Sequence, residues 1–225
     1  MTIKTCIFDA YGTLFDVNAA ARMVSTEPGY QRLAEVWPRL AQDWRNKQLE
    51  YSWLRTIADR HIDFWEITQD SLDWAMEASD LHDNALRARL LAIYKELPAF
   101  PEVPEMLEAV KAKGVEVAIL SNGSPEMLVS AVRSAGIGPH LDDVLSVEEV
   151  HTFKPHRSVY DLVFDRFGRV QSEVLFVSSN GWDAASAAAY GFATVWVNRT
   201  GQPVDRLYGR PHRILNDLKA IPDLV

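Results

Sequence analysis

The sequence contains one cysteine, Cys6, among its 225 residues. An internal disulfide is therefore excluded, and the composition fits a reducing compartment better than a cross-linked secreted protein. Because Cys6 lies inside an apolar run, we predict a buried, unreactive thiol and not a nucleophile.

Long apolar runs are also missing. No stretch approaches the roughly 18 consecutive apolar residues that a membrane-spanning helix needs, and the N-terminal residues show no signal-peptide pattern. We therefore expect a soluble, cytoplasmic protein with no membrane partner.

Basic residues are outnumbered, with 23 Lys and Arg against 31 Asp and Glu and a formal net charge of −8. This balance argues against a sequence-independent grip on phosphates, so no nucleic-acid partner is expected. A small anion can still bind where the site supplies its own cations. The length is sufficient for one substantial core and a smaller second lobe.

Several catalytic signatures are absent. The sequence contains no GxxxxGK[ST] and no GxSxG, which excludes P-loop and nucleophile-elbow enzymes. The stretch "AGIGPHL" lacks the third glycine of a dinucleotide fingerprint and follows a helical pattern. The histidines show no metal-ligand spacing, so surface or packing roles are expected for all six: His61, His82, His140, His151, His156 and His212.

Five short, β-rich apolar runs are present, and each ends in polar or turn residues; they lie within 5–16, 115–124, 142–150, 174–183 and 193–200. Runs of this kind are typical of strands buried on both faces. Helical patterns between them end at Gly114, Gly136 and Gly191, and the second has Ser124 to cap its start, followed by Pro125. The alternation predicts a doubly wound, Rossmann-like α/β fold with a parallel sheet.

Residues 16–98 interrupt this alternation with helical periodicity and no credible strand. Five of the seven tryptophans fall here and are expected to pack helices together: Trp37, Trp44, Trp53, Trp65 and Trp74. We predict an all-helical cap at 16–98, inserted into an α/β core formed by 1–15 and 99–225.

Ligands in open α/β sheets bind beyond the carboxyl ends of the strands. The polar residues expected at that edge include two acids, a lysine and several hydroxyl and amide groups: Asp9, Thr13, Ser121, Asn122, Lys154, Ser178, Ser179, Asn180 and Asp183. Singly, each is explained as a cap, a turn residue or a solvated charge. Together they indicate a catalytic site.

The segments "FDAYGTLFD", "SNGS", "KP" and "SSNGWD" resemble, in order, the four motifs of the haloacid dehalogenase superfamily. "WRNKQLEYSWLR" resembles its L-2-haloacid dehalogenase branch. The resemblance covers essentially the whole chain and implies a nucleophilic aspartate in the core, a helical cap, and a short 2-haloacid as substrate with halide as product.

Tyr11 stands where most superfamily members, which are phosphatases, have a general-acid aspartate. An alkoxide needs a proton to leave, whereas a halide is a stable anion. Phosphatases also use Mg²⁺ held by several acids, and the last motif here supplies one, Asp183. The sequence therefore favours carbon–halogen displacement with no metal and no cofactor, and Tyr11 is interpreted as a wall of the pocket.

The resemblance implies a role for each matching position. Asp9 would attack the halogen-bearing carbon, Lys154 would hold Asp9 ionised, and Asp183 with Asn180 would activate the hydrolytic water. Arg45 and Asn122 would receive the halide, and Ser121 would bind the substrate carboxylate. The supporting hydrogen-bond partners would be Thr13, Ser178 and Tyr160, and the apolar wall would comprise Tyr11, Phe64 and Trp182.

Two alternatives stay open: a Mg²⁺-dependent phosphatase of the same fold, and a catalytically silent module that captures a small carboxylate. The resemblance also implies a homodimer paired through the cap, where Leu49, Trp53 and Leu54 lie near charged groups. An amphipathic helix can satisfy such a stripe within its own lobe, so the residues alone leave monomer and dimer open.

Overall fold

The computed structural model describes residues 2–225, in which six strands form one sheet with the order β3-β2-β1-β4-β5-β6. All neighbouring strands are parallel. The strands are β1 (Thr5–Phe8), β2 (Glu116–Ser121), β3 (Asp143–Ser146), β4 (Val174–Ser178), β5 (Ala193–Val197) and β6 (Arg213–Leu215). The predicted doubly wound α/β fold is confirmed.

The central strands are buried on both faces because every residue of β1 and of β4 lies in the core. The helices of this α/β part are α5 (Val103–Ala112), α6 (Pro125–Ser134), α7 (Arg157–Phe167) and α8 (Gly181–Tyr190). Cys6 has no exposed surface, and burial raises the pKa of its thiol. The prediction of a buried, unreactive thiol is therefore supported.

The segment between β1 and α5 contains four helices and no strand: α1 (Ala19–Val24), α2 (Gln31–Ala58), α3 (Phe64–Ala78) and α4 (Asn84–Lys95). Asp63 and Asp83 cap α3 and α4 by accepting hydrogen bonds from backbone N–H groups of the first turn. Trp44 is buried between helices, whereas Trp74 is 40% exposed and lies beneath the ammonium of Lys47.

The chain leaves and re-enters the α/β part along two adjacent segments. The N–H of Asp16 donates to the carbonyl of Pro98 at 3.0 Å, and the N–H of Phe100 donates to the carbonyl of Leu14 at 2.9 Å. The division at residues 15/16 and 98/99 stays a prediction, and this pairing supports it.

Two details of the strands were not predicted, and one expectation about a helix cap needs correction. Strand β6 was not predicted, because its three residues lie at the sheet edge and form no buried run. The run at 142–150 is a strand only over Asp143–Ser146, after which a 3₁₀ turn follows. Ser124 occupies the N-cap position of α6, but its side chain makes no capping hydrogen bond. Within residues 2–225, no helix is both long and apolar enough to cross a membrane.

Candidate active site

The predicted site residues meet where the strand order reverses, beside β1. Asp9 follows β1, Ser121 ends β2, and Ser178 ends β4. Since parallel strands present their carboxyl ends at one edge, these positions converge although they are far apart in sequence.

Four side chains donate hydrogen bonds to the carboxylate of Asp9. Lys154 Nζ lies 3.2 Å from Oδ1, while Thr13 Oγ1 and Asn180 Nδ2 each lie 2.9 Å from Oδ2, and Ser178 Oγ lies 3.5 Å from the same oxygen. Asp9 is only 6% exposed. Its carboxylate is therefore fixed in orientation by donors that favour negative charge.

Lys154 joins two acids in the interior of the protein. Its Nζ lies 2.9 Å from Asp183 Oδ2, and the hydroxyl of Tyr160 donates to Asp183 Oδ1 at 2.8 Å. Burial lowers the pKa of Lys154, but the charges of Asp183 and Asp9 outweigh burial, so its pKa is raised. Lys154 is consequently a permanent cation at the centre of the cluster.

Asp183 is fully buried, and burial raises the pKa of its carboxyl even though Lys154 opposes the shift. Burial, reinforced by Asp183, holds the pKa of Tyr160 well above its ordinary value. Tyr160 is therefore a neutral phenol that donates a hydrogen bond, and Asp183 has greater proton affinity than an exposed aspartate.

Two glycines permit this arrangement. Gly12 has a φ of +89°, which allows the chain to turn back so that Thr13 reaches Asp9. A Cβ atom on Gly123 would lie 2.7 Å from Cε2 of Tyr11. The glycine of the Ser-Asn-Gly motif is thus required for the close approach of the Tyr11 ring.

Tyr11 lies in an aromatic environment and is 3% exposed. Its ring stacks on Tyr94 at 5.7 Å between centroids, and Phe64 lies 6.3 Å away. Its hydroxyl has no hydrogen-bond partner within residues 2–225, and burial raises its pKa well above the ordinary value. Tyr11 therefore forms an apolar wall beside Asp9.

Arg45 is placed over the site by α2. Its Nη2 lies 3.3 Å from Asn180 Oδ1 and 3.4 Å from the carbonyl oxygen of Tyr11. Arg45, Asn180 and Trp182 line a cleft of about 910 Å³ that opens beside the cluster. Trp182 also pairs edge-on with Trp53 at 5.4 Å, and Phe64 lies against Tyr11.

Ser121 and Asn122 organise the loop after β2. Ser121 Oγ accepts a hydrogen bond from the N–H of Gly123 at 3.1 Å. Asn122 Oδ1 accepts one from the N–H of Lys154 at 2.9 Å. Asn122 therefore positions the backbone of Lys154, a role that the sequence did not suggest.

Sequence reasoning missed two residues behind the wall, Tyr94 and Gln48. Gln48 Nε2 donates to the hydroxyl of Tyr94 at 3.1 Å, and both residues are buried. Helical periodicity places them on inward faces but does not indicate that Tyr94 stacks on a residue 83 positions earlier. No sequence signal would have identified this contact.

The acids of the cluster do not fit a magnesium site. Mg²⁺ requires hard oxygen ligands in nearly octahedral geometry. Both oxygens of Asp183 are engaged by Lys154 and Tyr160, and Lys154 Nζ lies between the carboxylates of Asp183 and Asp9. The charge that a metal would balance is already balanced by lysine.

The site is thus a buried carboxylate at the switch point of a doubly wound sheet, paired with a lysine and covered by inserted helices. The family model of haloacid dehalogenase-like hydrolases matches residues 3–191. The chain belongs to this family.

Relatives that match over nearly the whole chain carry a narrower name. The chain is 43% identical to (S)-2-haloacid dehalogenase 1 of Pseudomonas sp. (strain CBS-3), covering 99% of this chain and 96% of that protein. It is 40% identical to (S)-2-haloacid dehalogenase 4A of Burkholderia cepacia, covering 98% and 94%.

A solved structure is also similar. The L-2-haloacid dehalogenase of Xanthobacter autotrophicus with chloropropionic acid covalently bound superimposes with a TM-score of 0.86 at 34% identity, covering 99% of this chain and 98% of that one.

Proposed function

We propose that this chain hydrolyses short L-2-haloalkanoic acids to 2-hydroxy acids of inverted configuration, through an ester on Asp9 and without a metal ion. One observation carries the proposal: the carboxylate of Asp9 is paired with Lys154 and lies beside Tyr11, a neutral phenol in an apolar wall. The names of the relatives support the substrate class.

In the first step, an oxygen of Asp9 attacks C2 of the haloacid from the side opposite the halogen. An O–C2 bond forms, the electron pair of the carbon–halogen bond leaves with the halide, and the configuration at C2 inverts. No proton is transferred, since a halide leaves as a stable anion. Burial of Asp9 and the aromatic wall remove water that would stabilise the nucleophile.

Different groups around Asp9 would bind the two anionic parts of the substrate, the departing halide and the carboxylate. Arg45 and Asn122 would receive the halide, and Ser121 with nearby backbone N–H groups would hold the substrate carboxylate. Arg45 contacts only neutral oxygens at 3.3 and 3.4 Å, so its charge is available for an anion entering the cleft.

In the second step, water attacks the carbonyl carbon of the Asp9 ester. Asp183 accepts a proton from this water and returns it to the departing alkoxide, so that the 2-hydroxy acid leaves with an oxygen that came from Asp9. The raised pKa of Asp183 makes its carboxylate a stronger base than that of an exposed aspartate. Asn180 and Lys154 would position the water.

The alternatives are less well supported. A phosphatase would need a general acid and a metal, but Tyr11 has a pKa raised far above neutral and the acids do not fit Mg²⁺. A silent binding module would have no need for a buried base such as Asp183 beside Asp9.

Halide release over a panel of short 2-haloacids of both configurations tests the proposal. We expect release from the L-acids, full activity in EDTA, and none from Asp9→Asn. In a single turnover in heavy-oxygen water, the product should be unlabelled, because its new oxygen comes from Asp9. Immediate full labelling of the product would contradict the ester, and loss of activity in EDTA with recovery in Mg²⁺ would support the phosphatase.

We also propose a homodimer that pairs through the cap. Leu54 and Ile57 of α2 are 54% and 82% exposed, so the helix leaves apolar side chains uncovered by its own lobe. Light scattering at micromolar concentration should give the mass of a dimer, and Ile57→Lys should shift it towards the monomer. A monomeric wild-type protein at that concentration would refute the pairing.

A further inference from the structure

His61, Glu148 and His151 lie together where the helical region meets the α/β region. His61 belongs to the loop between α2 and α3, while Glu148 and His151 follow β3. One ligand atom from each of the three lies within 4.8 Å of the other two. His61 Nε2 is 2.9 Å from Glu148 Oε2, and the two imidazole rings are 5.6 Å apart.

Two polar atoms of this cluster are buried without a partner. His61 Nδ1 and Glu148 Oε1 make no hydrogen bond to any residue within 2–225. Buried polar atoms are nearly always satisfied, so unpartnered ones indicate that something else completes the site. Here the orphan atoms belong to two of the three clustered residues.

We propose that His61, Glu148 and His151 bind a divalent transition-metal ion of the zinc class. Two imidazoles and one carboxylate are a donor set that proteins use for Zn²⁺, with ligand distances of about 2.0–2.2 Å. Hard ions such as Mg²⁺ prefer oxygen alone, so they are disfavoured. His151 is exposed, so the site is accessible to an ion from solvent.

An ion at this position would link the helical region to the α/β region. Phe153, which follows the two core ligands, donates its N–H to Thr56 of α2 at 3.2 Å, and Lys154 is the next residue. An ion held by His61 on one side and by Glu148 and His151 on the other ties these segments together. The bound ion would therefore hold the cap against the core. It would slow turnover by opposing the separation of cap and core through which substrate enters and product leaves.

Isothermal titration calorimetry of the chelator-treated protein with ZnCl₂ tests the site directly. We expect one equivalent to bind, and His61→Ala, Glu148→Gln or His151→Asn to weaken binding at least tenfold. Asparagine tolerates the φ of +49° at position 151. His82→Ala is the matched control because His82 is exposed and lies outside the cluster. Circular dichroism checks that each variant folds.

Two further measurements make the outcome decisive. Co²⁺ should give the intense visible absorption of a four-coordinate ion in wild type and His82→Ala, and not in the three cluster variants. Zn²⁺ should slow halide release by the wild type and not by His61→Ala. Binding that survives all three substitutions, or no binding by the wild type, would overturn the proposal; equal inhibition of His61→Ala would overturn the link to the cap.

Discussion

The cation from the core and the cation from the cap differ in burial and in their ionic partners. Lys154 is 1% exposed and lies 3.2 and 2.9 Å from two carboxylates. Arg45 is half-buried and meets only neutral oxygens at 3.3 and 3.4 Å. The core cation is part of the folded framework, and the cap cation remains available for a ligand.

The difference follows from the cost of removing charge from water. A buried ion is tolerated when partners compensate it, and deleting one partner leaves the others uncompensated. A half-exposed cation without an ionic partner makes little difference to folding when it is removed. Substitution of Lys154 should therefore reduce both stability and turnover, whereas substitution of Arg45 should reduce turnover alone.

The largest effect is expected from Asp9→Asn, because an amide oxygen is a far weaker nucleophile than a carboxylate. Turnover should fall on the order of 10⁶-fold, as it does when other enzymes lose a nucleophile. Asp217→Asn, which is paired with Lys219 on the surface, is the control and should retain activity. Steady-state halide release provides the comparison, and substantial residual activity in Asp9→Asn would mean direct attack by water.

Lys154→Met should abolish most turnover and also destabilise the fold. It leaves Asp9 and Asp183 buried without their cation, at a cost of about 3–5 kcal/mol in the free energy of unfolding. Lys111→Met removes a half-exposed pair with Asp142 and should cost at most about 1 kcal/mol. Urea unfolding measures the loss of stability in both variants. Equal losses would contradict the expectation that a buried ion pair costs more to break than a half-exposed one.

Arg45→Ala should leave stability nearly unchanged and lower the rate of ester formation by on the order of 10²–10³. The loss should be larger for chloro-acids than for bromo-acids. Chloride leaves less readily, so its departure depends more on stabilisation of the developing halide charge by Arg45. Arg45→Lys should restore only part, since an ammonium lacks the planar donor fork. Arg39→Ala, on the exposed face of α2, is the control.

Single-turnover rates with chloro- and bromo-acids decide the role of Arg45. An equal loss for both halides, with only the Michaelis constant raised, would assign Arg45 to the substrate carboxylate and refute the halide site.

The raised pKa of Lys154 predicts a pH dependence. Its ion pairs contribute fully below the ordinary lysine pKa of 10.5, and the contribution is lost as the pH rises through the higher pKa of the folded protein. Wild type should therefore lose stability more steeply than Lys154→Met above pH 10.5. Urea unfolding from about pH 8 to about pH 12 measures both slopes. Parallel curves would contradict the assignment.

Tyr11→Phe should have the smallest effect. The hydroxyl is buried without a partner within residues 2–225, so its removal should change the unfolding free energy little or raise it slightly. Turnover should stay within a few-fold of wild type, because the phenol transfers no proton. A large loss of rate at unchanged stability would give Tyr11 a chemical role.

Individual residues show which parts of the site could be predicted from the sequence. Asp9, Lys154 and Asp183 were placed at one sheet edge by their position after apolar runs, and the structure brings them together. Trp182 lines the cleft beside Arg45 and pairs with Trp53, and its assignment to the apolar wall stays a prediction. The six histidines were expected to have surface or packing roles, and two of them, His61 and His151, lie beside Glu148.

The sequence by itself determined the strand and helix pattern, the inserted helical segment and the chemical inventory of the sheet edge. These depend on periodicity and turn residues, which act over a few positions along the chain. Tertiary structure alone decided which distant groups touch: Tyr94 on Tyr11, Asn122 on the backbone of Lys154, and His61 on Glu148. Such contacts arise from the packing of whole elements against one another, and no local pattern encodes them.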